Sequence, residues 1–214
     1  MTNAKSCFDR NMKDCIGCLD TYDKTGNDHV LRYVWIVAVS AFDKYMTELV
    51  SECSLRLIDR NPPELTESLR QVGIPLEHVM DLGGMSPAEK LLFYREQIYN
   101  SVRFKSFYKP EKVSEALAYI WKCPPKEKWS RIAARMRTQD RYSNRKEEDL
   151  RSELSQIGNR RDLIAHSMDT PPGADHANPV SREDAVRVIE FITDLAESIE
   201  QETETQLSAV RVEA

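Results

Sequence analysis

Leu31, Trp35, Ala38, Phe42, Tyr45 and Leu49 recur at steps of four and three, the spacing of one face of an α-helix laid along a core. Between them Val34, Ile36, Val37, Val39 and Ala41 make the first half of the stretch apolar on most sides, so this helix is expected at the centre of the fold. Two polar residues interrupt it. Arg32 and Asp43 lie eleven residues apart, roughly three turns at about 100° per residue, and so fall close to one face. They are either a buried ion pair or the lining of a polar cleft. The apolar run from Tyr33 to Phe42 is closed by Arg32 and Asp43 and is too short to span a bilayer.

The rest of the chain repeats the helical pattern without any strand-like alternation. A first helix is expected over Phe8 to Tyr22, with Thr25-Gly26-Asn27-Asp28 as the turn into the central one. After Asn61-Pro62-Pro63 the periodicity weakens through Gly73, Pro75 and Gly83-Gly84, which predicts short helices and loops. Ser86-Pro87-Ala88-Glu89 carries an N-cap, a first-turn proline and the acid of a capping box. Lys109-Pro110 opens a helix that ends before Pro124-Pro125. Leu150, Leu154, Ile157, Arg161 and Ile164 define another from about Glu147 to Ala165, stopped by Pro171-Pro172-Gly173. Ser181-Arg182-Glu183-Asp184 starts the last, striped by Val188, Ile192, Leu195 and Ile199. The fold class is therefore all-α, a helical bundle with extra short helices in its middle. With 214 residues, 41% of them hydrophobic and only seven glycines, the chain reads as one domain over 1–214, with flexible ends at about 1–7 and 203–214. No charged-then-apolar leader opens the sequence, so the expected location is cytoplasmic, without membrane attachment.

The formal net charge of −5 argues against blanket affinity for nucleic acid, but the charge is uneven. Lys126 to Lys146 holds eight basic residues against Glu127 and Asp140, a local +6, while Ile189 to Ala214 holds seven acids against Arg211, a local −6. The basic segment also carries Trp129 and Tyr142. Its arginines, Arg131, Arg135, Arg137 and Arg141, are expected to hold RNA phosphates, although a solvated helix face explains a charge run equally simply. Of the five cysteines, Cys15 and Cys18 form CIGC. Without a second pair or a nearby histidine this predicts buried thiols on a helix face rather than a metal site, and no metal or cofactor is expected.

The stretch GNRRDLIAHSMD, residues 158–169, places Arg161 where a helix stripe calls for Leu or Ile, and ends at His166, one of four histidines. Asn159, Asp162 and His166 are spaced i, i+3 and i+7 on about one face, with Arg161 adjacent. A guanidinium fits a phosphate with a bidentate fork, an imidazole moves protons near neutral pH, and an acid such as Asp162 orients it. The set suffices to cleave an RNA phosphodiester, because the neighbouring 2'-hydroxyl is the nucleophile and no metal-activated water is needed. By itself, the same spacing also fits a histidine stabilised at a helix C-terminus.

NRRDLIAHSMD resembles the signature of the HEPN superfamily, an arginine followed by a polar residue and then a histidine four to six residues on. DHVLRYVWIVAVSAFDKYMTELV, with its Arg32 and its Asp43-Lys44-Tyr45, resembles the first long helix of the RiboL-PSP branch. FKSFYKPEKVSEALAYI, KWSRIAARM and PVSREDAVRVIEFITDLAESI are similar to later parts of that branch, so the resemblance covers roughly residues 8–200. It implies an all-α HEPN-type bundle that dimerises so that the Arg and His of two subunits meet in one cleft. It further implies a metal-independent endoribonuclease of toxin, abortive-infection or antiphage type, acting on tRNA or mRNA, with an antitoxin or defence-system partner. The alternative it leaves is a catalytically inactive RNA-binding, nucleotide-binding or interaction subunit of a defence complex. Arg161, Asp162 and His166 match the motif as catalytic residues, with Asp162 setting the His166 tautomer. Asn159, Arg160, Arg32 and Asp43 are supporting candidates, Arg160 being the alternative motif arginine with a five-residue gap. Many members carry Asn where Asp162 stands. The subgroup with a modifiable Tyr two residues after the histidine is not matched, since Met168 is there.

Overall fold

A computed structural model describes residues 1–60 and 65–209. The described residues form an all-α bundle whose centre is the helix read from the apolar stripe, α2 (Asp28–Arg60). Leu31, Val34, Ala38, Phe42, Met46 and Leu49 are fully buried along it. Before it, α1 (Asn3–Thr25) runs antiparallel, joined through Gly26, whose φ of 62° is left-handed and whose N–H donates to Tyr22 O at 2.7 Å. Glycine takes that conformation at little cost.

Four short elements follow: α3 (Glu67–Arg70), α4 (Leu76–Asp81), α5 (Pro87–Val102) and α6 (Pro110–Leu117). The break at Asn61-Pro62-Pro63 lies outside the described residues. The capping box expected at Ser86 forms, with Ser86 N–H donating to Glu89 Oε2 at 2.7 Å. Next come α7 (Pro125–Met136), a 3-10 turn at Asp140–Tyr142, α8 (Glu147–Ser167) and α9 (Arg182–Ala209). The bundle closes when α1, α5, α8 and α9 pack around α2, with α7 on the outer side of α9.

Indole and phenol groups lock these helices at fixed heights, because a buried N–H or O–H must find an acceptor. Trp35 Nε1 donates to Ile157 O at 2.8 Å, tying α2 to α8. Tyr45 Oη donates to Ala196 O at 3.1 Å, and Trp121 Nε1 to Thr203 Oγ1 at 3.0 Å, tying the middle of the chain to α9. CIGC lies on α1 as four helical residues, with the Cys15 thiol buried and pushed up to about 11 chiefly by that burial.

Residues 1–7, expected as a flexible end, are placed against α9. Helix α1 starts at Asn3; Thr2 caps it by accepting from Lys5 N at 3.0 Å, and Thr2 N donates to Glu200 Oε1 at 2.6 Å. The acids that hold this first turn, Glu197 on Lys5 and Glu200 on Thr2, sit on α9, almost two hundred residues away. At the other end α9 runs to Ala209, with Thr203 and Leu207 buried, so the order extends beyond the expected limit of 203. None of the helices among the described residues is long and apolar enough to cross a membrane.

Candidate functional site at the end of α8

The last two turns of α8 carry the polar cluster, and the fold divides it into two groups. Helix α8 faces the core with Leu150, Leu154, Ile157 and Ile164, all buried, and Arg161 occupies the same stripe with its side chain about a quarter exposed. Its Nη1 donates to Asp162 Oδ1 at 2.9 Å, and its Nε is buried with no hydrogen-bond partner among the described residues. Asp162 Oδ2 accepts from the Tyr108 hydroxyl at 2.6 Å. Burial would raise the Asp162 carboxyl, but the Tyr108 hydroxyl, the Arg161 guanidinium and the charge of His166 outweigh it and hold it below the ordinary range. Tyr108 is raised in turn, first because its proton is shared with that carboxylate.

Asp43 of α2 joins this first group. Its Oδ1 accepts from Phe107 N at 2.7 Å. Burial pushes its carboxyl up to about 6, against the Phe107 N–H and the Arg161 charge, while Asp162 pushes it further up. Two carboxylates with opposed shifts therefore flank one guanidinium, the pattern of environments that separates proton donors from acceptors in working sites.

The second group is a clamp around Asp169, which is fully buried. Asp169 Oδ2 accepts from Arg32 Nε at 3.3 Å and Arg160 Nη2 at 3.0 Å, and Oδ1 accepts from Asn178 Nδ2 at 3.2 Å. Arg160 also donates to Pro179 O at 2.7 Å and lies over the Trp35 ring at 4.8 Å. The clamp stabilises an unusual helix end: Met168 and Asp169 both take left-handed backbone, with φ of 53° and 63°. Such conformations cost about 1 kcal/mol or more for a non-glycine residue and persist only where the surroundings enforce them. His166 stands in the turn just before this enforced end, exposed, on the face that also carries Asp162 and the exposed Asn159.

The supporting candidates are placed as follows. Arg32 and Asp43 do not line one group; Arg32 turns to Asp169, because the loop after α8 folds back over the first turn of α2, while Asp43 bonds to Phe107 and feels the charges of Arg161 and Asp162. Arg160 is committed to the clamp, which leaves Arg161 as the guanidinium beside Asp162. Asp162 does not hydrogen-bond to His166; both its oxygens are taken by Arg161 and Tyr108.

Tyr108 was not legible as a site residue. Its ring lies flat on α8 at Gly158, where an added Cβ would meet Tyr108 Cδ2 at 2.1 Å and Cβ at 2.4 Å. Glycine is required at 158 for this close approach. The signal in the sequence was Gly158 itself, a glycine within an otherwise good helix one turn before the Arg-Asp pair.

Most arginines of the basic segment lie in ion pairs within the chain. Arg131 and Arg135 lie on α7 and reach the buried Glu202 of α9 at 3.3 and 3.0 Å, with Arg131 also on Glu127 at 3.1 Å. Arg141 pairs with Glu190 at 2.7 Å and Asp194 at 3.5 Å, and Arg137 Nε donates to Ala133 O at 3.1 Å. Trp129 and Tyr142 are buried, their polar atoms bound to Pro110 O and Asp194. Three arginines of the +6 segment are thus paired with the −6 helix, while the side chains of Lys126, Arg137 and Lys146 are exposed and pair with no carboxylate among the described residues. The segment presents neither free guanidinium groups at Arg131, Arg135 and Arg141 nor open rings at Trp129 and Tyr142.

Among the described residues no cluster of three or more His, Cys, Asp or Glu side chains is arranged to hold a metal ion. The helical bundle, with its Arg-Asp-(x)3-His turn at one end of a long helix, is of HEPN type. The chain matches the RiboL-PSP-HEPN family over residues 10–205, and it belongs to that family. No curated protein and no solved structure matches it.

Proposed function

We propose that this protein is a metal-independent endoribonuclease of the toxin, abortive-infection or antiphage type, acting on tRNA or mRNA as a homodimer under the control of an antitoxin or defence-system partner. The observation that carries the reading is the placement of Arg161 and the exposed His166 together at the enforced end of α8, with Arg160 withdrawn into the clamp. In the reaction the ribose 2'-oxygen bonds to phosphorus and the bond to the 5'-oxygen breaks, leaving a 2',3'-cyclic phosphate and a 5'-hydroxyl. His166 of one subunit takes the 2'-hydroxyl proton, and the same residue of the second subunit gives a proton to the departing oxygen. Arg161 stabilises the charge that builds on the phosphorane-like centre. Asp162 works on Arg161 instead of on the imidazole: it holds the guanidinium from one side and is itself held by Tyr108.

One observation favours the second reading, an inactive HEPN subunit that binds RNA. His166 has no hydrogen-bonding orienter among the described residues of one chain. The test is incubation with total tRNA and a structured mRNA in EDTA, beside His166→Ala. Cleavage by the wild type with a cyclic-phosphate end, reduced at least a hundredfold in the variant with an unchanged melting temperature, is the expected result. Equal cleavage by both would overturn the role of His166, and silence from both would leave the RNA-binding reading.

A further inference from the structure

With Arg131, Arg135 and Arg141 in ion pairs, exposed cations without an acidic partner are also carried by a loop that touches the α8 site. The loop joining α5 to α6 reads Arg103-Phe104-Lys105-Ser106-Phe107-Tyr108-Lys109, three basic residues, three aromatics and no acid. Its C-terminal end is pinned into the candidate site: Phe107, fully buried, gives its N–H to Asp43, and Tyr108 gives its hydroxyl to Asp162. Turn hydrogen bonds from Arg103 N to Tyr99 O at 2.9 Å and from Lys105 N to Val102 O at 3.0 Å hold the near side. On this fixed support Phe104 stands 82% exposed. The Arg103 guanidinium lies over it at 4.5 Å and over Tyr99 at 6.0 Å, and Lys109 Nζ lies over the Tyr108 ring at 5.7 Å. Lys105 is bound to Glu115 at 3.1 Å, but Arg103 and Lys109 are exposed and pair with no carboxylate among the described residues.

We propose that this loop is the surface that seats single-stranded RNA beside the α8 site, with one base stacked on Phe104 and flanking phosphates on Arg103 and Lys109. The proposal rests on the reading above that RNA is the substrate. An open aromatic face next to unpaired cations is the arrangement that holds an unpaired base and its backbone without reading sequence. A duplex keeps its bases enclosed and offers Phe104 no face to stack on. Because Tyr108 and Phe107 belong to the same loop, a strand held on Phe104 is delivered to Arg161 by a rigid connection only a few residues long.

The test is fluorescence anisotropy of a labelled, mixed-sequence RNA whose riboses are 2'-O-methylated, so that binding is read without cleavage. Phe104→Ala is expected to weaken binding about tenfold, and Phe104→Trp to restore it within about twofold. Arg103→Gln with Lys109→Gln is expected to lower the slope of log affinity against log salt by about 1.4, at about 0.7 per phosphate contact on a single strand. A blunt RNA duplex is expected to bind at least tenfold more weakly than the single strand. Unchanged binding in Phe104→Ala, equal affinity for duplex, or no binding by the wild type would each overturn the proposal. The two readings separate cleanly. Wild-type protein that binds through Phe104 but never cleaves sinks the nuclease alone, and wild-type protein that cleaves while Phe104→Ala binds and cleaves normally sinks the loop alone.

Discussion

Residues 126–146 and residues 103–109 are both basic and both carry aromatic side chains, yet the fold uses them in opposite ways. In the first, Arg131 and Arg135 converge on Glu202 of α9, Arg141 on Glu190 and Asp194, and Lys128 is buried with its Nζ donating to Cys123 O at 3.0 Å. Trp129 and Tyr142 have become core. In the second, Arg103 and Lys109 stay exposed and Phe104 points outward, while Phe107 and Tyr108 anchor the loop to Asp43 and Asp162. The arginines at 131, 135 and 141 of the longer run are structural because an acidic helix packs on them. The shorter one remains available because nothing acidic does, apart from Glu115 at Lys105. Charge counted along a sequence is a sum; charge presented to a ligand is what remains after pairing.

The sharpest way to break the comparison is at Gly158. A Cβ there would collide with the Tyr108 ring, so Gly158→Ala is expected to cost about 3 kcal/mol of stability and to push the 103–109 loop off Asp162. Thermal melting and RNA binding should fall together; a variant with a wild-type melting temperature would show that the ring is not packed on α8. A smaller effect, on stability only, is expected from the other segment. Arg131→Gln with Arg135→Gln leaves Glu202 buried without a cationic partner, held by Gln206 alone of its present side-chain donors, which should cost about 2 kcal/mol, or roughly 4–8 °C in melting temperature, with RNA affinity unchanged. A loss of affinity larger than tenfold would restore α7 as an RNA surface.

The smallest effect concerns pH and isolates the site side. The folded-state pKa of Asp43 is raised to about 6 from an ordinary 3.8, so the native protein binds the proton more tightly than the unfolded chain. The stabilisation this gives is complete below about pH 4 and is lost as pH rises through 6. Asp43→Asn keeps an oxygen for the Phe107 N–H and should flatten the difference in denaturant stability between pH 4 and 7. An identical pH profile in wild type and variant would remove Asp43 from the group.

Much of this architecture was legible in the residues because helical periodicity, caps and breakers are local. The stripe from Leu31 to Leu49 defined α2, and Ser86-Pro87-Ala88-Glu89 and Ser181 to Asp184 marked true helix starts. The odd arginine on the α8 stripe, followed five residues later by His166, marked the candidate site. What was not legible depended on partners distant in sequence. Thr2 is ordered by Glu200, Arg32 is drawn to Asp169, and Asp162 is taken by Tyr108 instead of His166.

The sequence by itself determined that the chain is all-α, that α2 is central, and that Arg161, Asp162 and His166 share one end of a helix, since all three follow from spacing on a rod with a fixed repeat. Only the tertiary structure decided which arginine stays beside Asp162, which carboxylates flank it, and which basic segment is left unpaired. Ion pairs and hydrogen bonds act over a few ångströms, and packing alone determines which residues come that close.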